Sequence, residues 1–196
     1  MDFEGAWHHV MNRGIDRARI FDEATMRIFL IELRDTCALH RIQIHGYCIL
    51  PNHYHLLLHT PEAGLSPAMQ RLSSRFTQAV NRLRGRDGPL FKGRFRSIAI
   101  EDDAHLVRVS QYIHLNPVET GLAAAAQDWS WSRAASYVGL AAKPEWLHTS
   151  ALFAMFGTAC PERAYAEYLR EGERGSGGQT PRVTVRDSEL RSRRGV

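Results

Sequence analysis

Hydrophobic and polar positions along the first 120 residues follow two different periods. In "RIQIHGYCIL" apolar residues alternate and then run together, as in a strand, whereas in "DEATMRIFLIELRDTCALH" they recur at near-helical spacing. The resulting order is strand, helix, strand, strand, helix, strand, helix. The predicted strands are 6–13, 41–50, 53–59 and 94–101, and the predicted helices are 22–40, 65–85 and 102–116.

Local signals mark the ends of these elements. Residues 51–52, "PN", predict a tight turn that joins two antiparallel strands. In the second helix we expect Ser66 to be the cap, Pro67 to be the first helical residue and Gly85 to follow the end. Pro117 is expected to stop the third helix.

This order predicts an α+β fold of the ferredoxin-like, split βαβ type. Its antiparallel sheet has about four strands with helices packed on it, followed by extra C-terminal helices. We expect a single domain over residues 1–171, with a core at 6–120 and a helical extension at 121–171. Residues 172–196 are rich in Gly, Ser and Arg and predict a flexible basic tail.

Composition places the chain among ordinary globular proteins. Of its 196 residues 44% are apolar and 23% are charged, which suits one well-cored domain. Apolar runs are too short to span a bilayer, and "MDFEGAWHHV" lacks the features of a secretory signal. The three cysteines are odd in number and lack a CxxC pair, which predicts reduced thiols in a cytoplasmic protein.

Positive charge is concentrated before and within the fourth predicted strand. The net charge is only +4, but residues 82–96 carry six cations against one acid, Asp87, with Phe91 and Phe95 between them. Cations neutralise nucleic-acid phosphates and aromatic rings stack on bases, so this pattern favours a nucleic-acid strand over a merely solvated basic loop. The residues expected to contact DNA are Arg13, Arg82, Arg84, Lys92, Arg94 and Arg96.

The stretch "PNHYHLLLH" places histidines at alternate positions of a strand. Alternate residues of a strand share a face, so His53 and His55 lie side by side while Tyr54 points to the opposite face. Two imidazoles can hold one divalent ion, although a third ligand must come from elsewhere. Imidazole combined with oxygen donors would suit Mg²⁺ or Mn²⁺ in phosphate chemistry. Alone, the pair is also compatible with an unusually histidine-rich strand face.

The third helix supplies two further candidates. Tyr112 and Asn116 are four residues apart, so they are neighbours on one face, separate from the apolar stripe that includes Leu106 and Ile113. A tyrosine one turn before an amide oxygen would provide a nucleophile and a third metal ligand. Taken singly, each residue also fits a structural part, Tyr112 as a core aromatic and Asn116 as a C-cap before proline.

Three segments together resemble the REP-associated tyrosine transposases of bacteria, a branch of the single-tyrosine HUH transposases. They are "GYCILPNHYHLLL", "LFKGRFRSI" and "YIHLNPVETGL". HUH denotes histidine, a bulky apolar residue and histidine, which here are His53, Tyr54 and His55. The similarity begins near "WHHVMNRG", continues through "DWSWS" and "EWLHTSALFAMFG", and leaves the tail unmatched.

The resemblance implies a metal-dependent endonuclease and strand transferase for single-stranded or hairpin-forming DNA. It implies Tyr112 as the nucleophile that forms a covalent 5′-phosphotyrosine, and His53, His55 and Asn116 as ligands of Mg²⁺ or Mn²⁺. Related insertion-sequence enzymes have glutamine where this chain has Asn116.

The same resemblance implies a bacterial, cytoplasmic and nucleoid-associated protein, monomeric or homodimeric. His114 and Gln111 remain further candidates for the third metal ligand. Among the alternatives, a domesticated, non-catalytic DNA-hairpin-binding protein of the same fold ranks next. A phosphoesterase would need two HxT motifs, which "HHV" and "HYH" do not supply. A replication initiator would be expected to carry a helicase segment, which this short chain lacks.

Overall fold

The computed structural model describes residues 3–175. The strands are β1 (Ala6–Arg13), β2 (Gln43–Leu50), β3 (His53–Thr60) and β4 (Arg96–Ile100). The helices are α1 (Glu23–Leu39), α2 (Leu65–Arg84), α3 (Asp103–Glu119), α4 (Ala134–Tyr137), α5 (Ser150–Ala154) and α6 (Pro161–Gly175). Short 3-10 turns lie at Ile15–Arg17 and Ala126–Asp128.

The four strands form one antiparallel sheet in the order β2-β3-β1-β4. The chain builds it from two strand–helix–strand units, β1-α1-β2 and β3-α2-β4, and places β1 and β3 at the centre. This is the topology of a split βαβ fold, and the predicted α+β class is confirmed. Each central strand is paired on both sides, so its backbone hydrogen-bonding groups are satisfied within the sheet.

One face of the sheet is covered by α1 and α2 through an apolar, aromatic core. Tyr54 of β3 lies 4.7 Å from the ring of Phe29 in α1, and Phe29 lies 5.3 Å from Phe76 in α2. Val10 and Leu56 point into the same layer and are fully buried. Burying a side chain of this size contributes about 1.5–3 kcal/mol, so this layer supplies much of the stability.

The other face is covered in part by α3, which lies against β2 and β3. Gly46, at a β-bulge in β2, lies beneath His114, and a Cβ atom there would make an ordinary contact at 3.6 Å from its ring. Helix α6 holds α3 from outside: Gln111 donates to the Tyr168 carbonyl at 2.6 Å, and His114 Nδ1 lies 2.7 Å from the Tyr165 hydroxyl. The ends of β1 and β4 beyond α3 remain accessible.

Segment 129–133 runs along the outer edge of β2. The Ile49 N–H donates to the Trp131 carbonyl at 2.9 Å, and the Trp129 indole donates to the Ile49 carbonyl at 2.9 Å. These bonds satisfy backbone groups that an edge strand would otherwise leave open. The C-terminal extension is therefore part of the packing around the sheet.

Helix α2 begins one residue before the predicted cap. Its N-cap is Gly64, with φ at +134°, so Ser66 and Pro67 are the second and third helical residues and not the cap and the first. Serine preference for caps is outweighed here by a glycine that allows the required backbone angle. The predicted end is confirmed, because Gly85 adopts the left-handed conformation with φ at +57°.

Helix α3 continues through Pro117 to Glu119, so the prediction that this proline stops the helix is wrong. Proline lacks an N–H, which removes one bond to the carbonyl of Ile113. Helical bonding continues beyond the proline, since the Thr120 N–H donates to the Asn116 carbonyl at 3.0 Å. The loss of a single bond in the last turn is tolerated because Pro117 is itself buried.

The predicted domain boundary at residue 171 falls inside α6. Residues 172–175 are helical, and Glu173 accepts a hydrogen bond from the Ala126 N–H at 3.0 Å. The rest of the predicted tail, 176–196, lies outside the described residues. Within residues 3–175, no helix is long and apolar enough to cross a bilayer.

Candidate active site

A cleft of about 620 Å³ opens where β1 ends and β3 begins, beyond the edge of α3. Imidazole, amide and cationic side chains meet in it. It is lined by Met11, Asn12, Arg13, Arg17, Asn52, His53, His55, Lys92, Gly93, Arg94 and Arg96.

Strand register brings these side chains to one face. On β1 and β3, Met11 pairs with His55 and Arg13 pairs with His53. On the other side of β1, Met11 pairs with Arg96 of β4. Directly paired residues of antiparallel strands project to the same face, so the histidines and both arginines share one surface.

His53 and His55 lie next to each other, as predicted, with ring centroids 5.0 Å apart. His53 Nδ1 stands 2.6 Å from Asn52 Oδ1, and His55 Nδ1 stands 2.9 Å from His9 Nε2. In both rings Nδ1 is engaged, which leaves Nε2 as the nitrogen available to a ligand.

Burial keeps this histidine cluster neutral. Removal from solvent lowers the pKa of His53, and lowers that of His55 well below the usual value. Burial, followed by the nearby charge of His105, lowers the pKa of His9 to about 4. Neutral imidazole is the form that carries a free lone pair, so the cluster is ready to bind a cation at neutral pH.

Tyr112 of α3 points at these histidines. Its ring lies 5.5 Å from His55 and 5.7 Å from His9, edge-on to both. Burial raises the pKa of Tyr112, whereas its hydrogen bond with Asn116 lowers it. The predicted pairing of Tyr112 with the histidine face is present, but the tyrosine is half-buried against the core, since its side of α3 faces the sheet.

Asn116 links α3 to the same cluster. It is only 5% exposed, and its Nδ2 donates to the Tyr112 carbonyl at 3.0 Å. A hydrogen bond between the Asn116 side chain and His53 counteracts part of the lowering of the His53 pKa by burial. Asn116 is therefore beside the histidines and is not a C-cap. His114 and Gln111 are engaged with α6, away from the cleft.

These side chains fit a divalent cation with several open positions. Within residues 3–175, no group of three or more His, Cys, Asp or Glu side chains is arranged to hold a metal ion. A cation here would rest on the two imidazoles of His53 and His55, the amide oxygen of Asn116 and oxygens from water or phosphate. Such sparse, oxygen-completed coordination is typical of cations that act on phosphates.

Four of the six cations predicted to contact DNA line the cleft: Arg13, Lys92, Arg94 and Arg96. All four are exposed. Among the described residues 3–175, no carboxylate forms an ion pair with any of them. Their loop is held in place, because Lys92 N–H donates to the Arg13 carbonyl at 3.0 Å and Asn12 donates to the Gly93 carbonyl at 3.1 Å.

Arg82 and Arg84, the other two, do not line the cleft. Both lie in the last turn of α2, the helix that covers the opposite face. Arg84 donates to Asp22 at 2.7 Å and to the Ile20 carbonyl at 3.3 Å, which joins α2 to the start of α1. The cluster of charge in the sequence therefore separates into a cleft group and a pair at the end of α2.

Three cleft or site residues were missed by the sequence analysis: His9, Asn52 and Arg17. Alternation in "AWHHVMNR" predicts that His9 shares a strand face with Arg13. Its contact with His55, however, depends on the register of two strands. Arg17 has φ at +58°, a conformation that is uncommon for a residue other than glycine. No motif in the sequence around it predicts this conformation.

Comparisons with known proteins show the family of this chain and relate its fold to a solved structure. The sequence model of a family described as "Transposase IS200 like" matches residues 3–116. A Haemophilus influenzae protein described as a REP-associated tyrosine transposase is 29% identical over 128 residues, which cover 60% of this chain and 73% of the relative. A solved structure of a REP-associated tyrosine transposase bound to a REP hairpin superposes with a TM-score of 0.63 at 21% identity, covering 77% of this chain and 93% of the other.

Proposed function

Because this chain belongs to the IS200-like family of transposases, we propose that it cuts and rejoins single-stranded DNA through Tyr112, with a divalent cation. The observation that carries the proposal is the contact of Tyr112, on α3, with His55: the two rings meet edge-on at 5.5 Å, and His55 is one of the residues that line the cationic cleft. The proposed nucleophile therefore touches one of the proposed metal ligands, and that ligand shares the cleft with four exposed cations, Arg13, Lys92, Arg94 and Arg96.

The reaction is a transesterification. The Tyr112 oxygen bonds to phosphorus, the bond from phosphorus to the 3′ oxygen breaks, and the phenol proton is lost as the leaving 3′ oxygen gains one. The products are a 5′-phosphotyrosine and a free 3′-hydroxyl. The covalent link keeps the phosphoester bond energy, so a second 3′-hydroxyl is able to reverse the step and rejoin the strand.

Two opposing effects act on the phenol of Tyr112, and burial is the larger of the two. Burial raises the pKa of Tyr112, so the hydroxyl is neutral before attack, and the hydrogen bond with Asn116 favours the phenolate. A Mg²⁺ or Mn²⁺ ion held by His53, His55 and Asn116 would neutralise the phosphate and polarise phosphorus. Helix α6 holds α3 through Gln111 and so fixes the direction of the tyrosine.

The cations of the cleft are suited to a DNA backbone. Arg13, Lys92, Arg94 and Arg96 are exposed around the histidines and have no described carboxylate partner within residues 3–175. The solved structure with the same topology holds a REP hairpin. We extend that ligand class to this chain and propose that hairpin-forming single-stranded DNA is its substrate.

The test is a denaturing gel after incubation with a labelled hairpin oligonucleotide and Mg²⁺ or Mn²⁺. The wild type should give a covalent adduct on the 5′ side of the cut and release a 3′-hydroxyl end. Tyr112→Phe removes only the hydroxyl, so the adduct should vanish while the hairpin still binds. Tyr168→Phe, at another half-buried tyrosine, is the matched control and should keep the adduct.

Two results would contradict the proposal. An adduct that persists in Tyr112→Phe would place the nucleophile elsewhere. Tight hairpin binding by the wild type without any cleavage, across a titration of both cations, would favour the non-catalytic hairpin-binding alternative.

A further inference from the structure

His9 occupies a buried position beside the proposed metal ligands. It is 3% exposed, at the middle of β1, where it pairs with Leu57 on one side and Ile98 on the other. Its Nε2 lies 2.9 Å from Nδ1 of His55. His55 is diagonal to His9 across the strands, and such diagonal pairs touch only when both side chains are long.

The hydrogen bond between the two imidazoles has two possible arrangements. If His9 donates, His55 keeps its own proton on Nε2 and has no lone pair left for a cation. If His55 donates from Nδ1, His9 accepts with Nε2, and Nε2 of His55 keeps its lone pair. Only the second arrangement makes His55 a metal ligand.

His53 has the same kind of support. Its Nδ1 is 2.6 Å from Oδ1 of Asn52, and a carbonyl oxygen only accepts, so the His53 proton is on Nδ1 and the lone pair is on Nε2. The Nδ1 atoms of His53 and His55 are thus each hydrogen-bonded to a protein side chain. Outer partners of this kind orient metal-binding histidines and set their tautomer.

We propose that His9 is the positioning residue for His55: it accepts the Nδ1 proton of His55 and so directs the Nε2 lone pair of that ring toward the cleft. The inference rests on the proposed function, in which His55 binds a divalent cation. Burial suits His9 to this part, since an acceptor shielded from water holds the ring in one orientation. Its ring also meets Tyr112 edge-on at 5.7 Å, which ties the nucleophile to the same support.

The first readout is the tautomer of His55 in the metal-free protein, observed by long-range ¹H–¹⁵N correlation spectra of ¹⁵N-histidine-labelled samples. The wild type should show His55 protonated on Nδ1. His9→Phe keeps a ring without an acceptor, and His55 should shift toward protonation on Nε2. His9→Gln places an acceptor oxygen near the position of Nε2 and should restore the wild-type tautomer.

The second readout is Mn²⁺ affinity by calorimetry. Loss of an outer partner should weaken binding by about 10–100-fold in His9→Phe, and His9→Gln should recover most of it. His8→Phe, which removes an equally buried imidazole of the same strand from the opposite face, should bind Mn²⁺ like the wild type. Thermal melting of each variant separates these effects from a loss of folding.

The two proposals fail in different ways. If His55→Ala weakens Mn²⁺ binding but His9→Phe matches the wild type in affinity and tautomer, the inference on His9 is wrong and the metal site stands. If the wild type binds no Mn²⁺, the metal in the proposed function is wrong. A wild-type His55 protonated on Nε2 overturns the inference on His9 whatever the affinity.

Discussion

The two faces of the central sheet differ in what their buried side chains require. On the α1 and α2 side, β3 contributes Leu56 and Leu58, which are fully buried and need only close packing. On the α3 side, the same strand contributes His53 and His55, whose ring nitrogens need hydrogen-bond partners once they leave water. Because successive residues of β3 point to opposite faces of the sheet, this one strand contributes side chains to both.

The comparison shows how stability and chemistry are divided in this chain. The apolar layer contributes through burial, whereas the histidine face holds polar groups in a neutral and oriented state that adds little to stability. Substitutions a few residues apart on β3 should therefore have different effects: those on the histidine face should reduce cleavage, and those on the apolar face should reduce stability. The predictions below follow from that division, starting with the largest expected effect.

His53→Ala should abolish cleavage and adduct formation while the protein stays folded. His53 is half-buried and lies in the proposed cation site, so its loss removes a ligand but little packing. Leu56→Ala, three residues along the strand, should lower the free energy of unfolding by about 2–5 kcal/mol because a cavity opens in the apolar layer.

The measurements for this pair are adduct yield per folded molecule and urea unfolding. Leu56→Ala should keep nearly wild-type adduct yield under conditions where it is folded. A wild-type cleavage rate in His53→Ala, at any concentration of Mg²⁺ or Mn²⁺, would contradict the division between the two faces.

The α3 side should also make the fold sensitive to acid. Burial, and then the charges of His148 and His59, lowers the pKa of His45 to about 3, and burial lowers that of His114 to about 3. Below the ordinary histidine pKa of about 6.5, these two histidines are protonated in the unfolded chain but stay neutral in the folded chain. Stability should therefore fall as pH drops from about 6.5 toward 3, by about 1.4 kcal/mol per pH unit for each group.

Urea unfolding with EDTA at several pH values measures this slope. His45→Leu removes one of the two groups that only the unfolded chain protonates. The free energy of unfolding should therefore decline less steeply with acid than in the wild type, with a slope smaller by about 1.4 kcal/mol per pH unit. Equal slopes in the two proteins would show that His45 takes up its proton in the folded state.

A double substitution of Arg94→Ala and Arg96→Ala should weaken hairpin binding and flatten its salt dependence. Both side chains are exposed in the cleft. Each phosphate contact that is lost should reduce the log–log slope by about 0.7 to 0.9. Binding measured by fluorescence anisotropy over a range of salt concentrations gives the slope directly.

Arg82→Ala and Arg84→Ala are the controls for that experiment. Both residues lie outside the cleft, so neither should change the salt slope. Arg84→Ala should cost less than about 1 kcal/mol of stability through its partly exposed ion pair with Asp22. A flattened slope in Arg82→Ala would extend the DNA path to the end of α2.

Much of the fold is predictable because its signals are local. β1 coincides with the predicted residues 6–13, and the strand–helix order leads to the observed sheet. Alternation alone puts His53 and His55 on one face, and helical spacing alone puts Asn116 one turn after Tyr112. Helix ends were less predictable: Pro117 lies inside α3 because the surrounding burial outweighs its lost hydrogen bond.

By itself, the sequence determined the succession of strands and helices, the family, the pair His53 and His55, and the neighbours Tyr112 and Asn116. These depend on residues near one another in the chain. Only the tertiary structure decided that His9 meets His55 and that Arg94, unlike Arg82, reaches the cleft. The physical reason is that contacts across strands depend on register and twist, which are set when separate segments pack together.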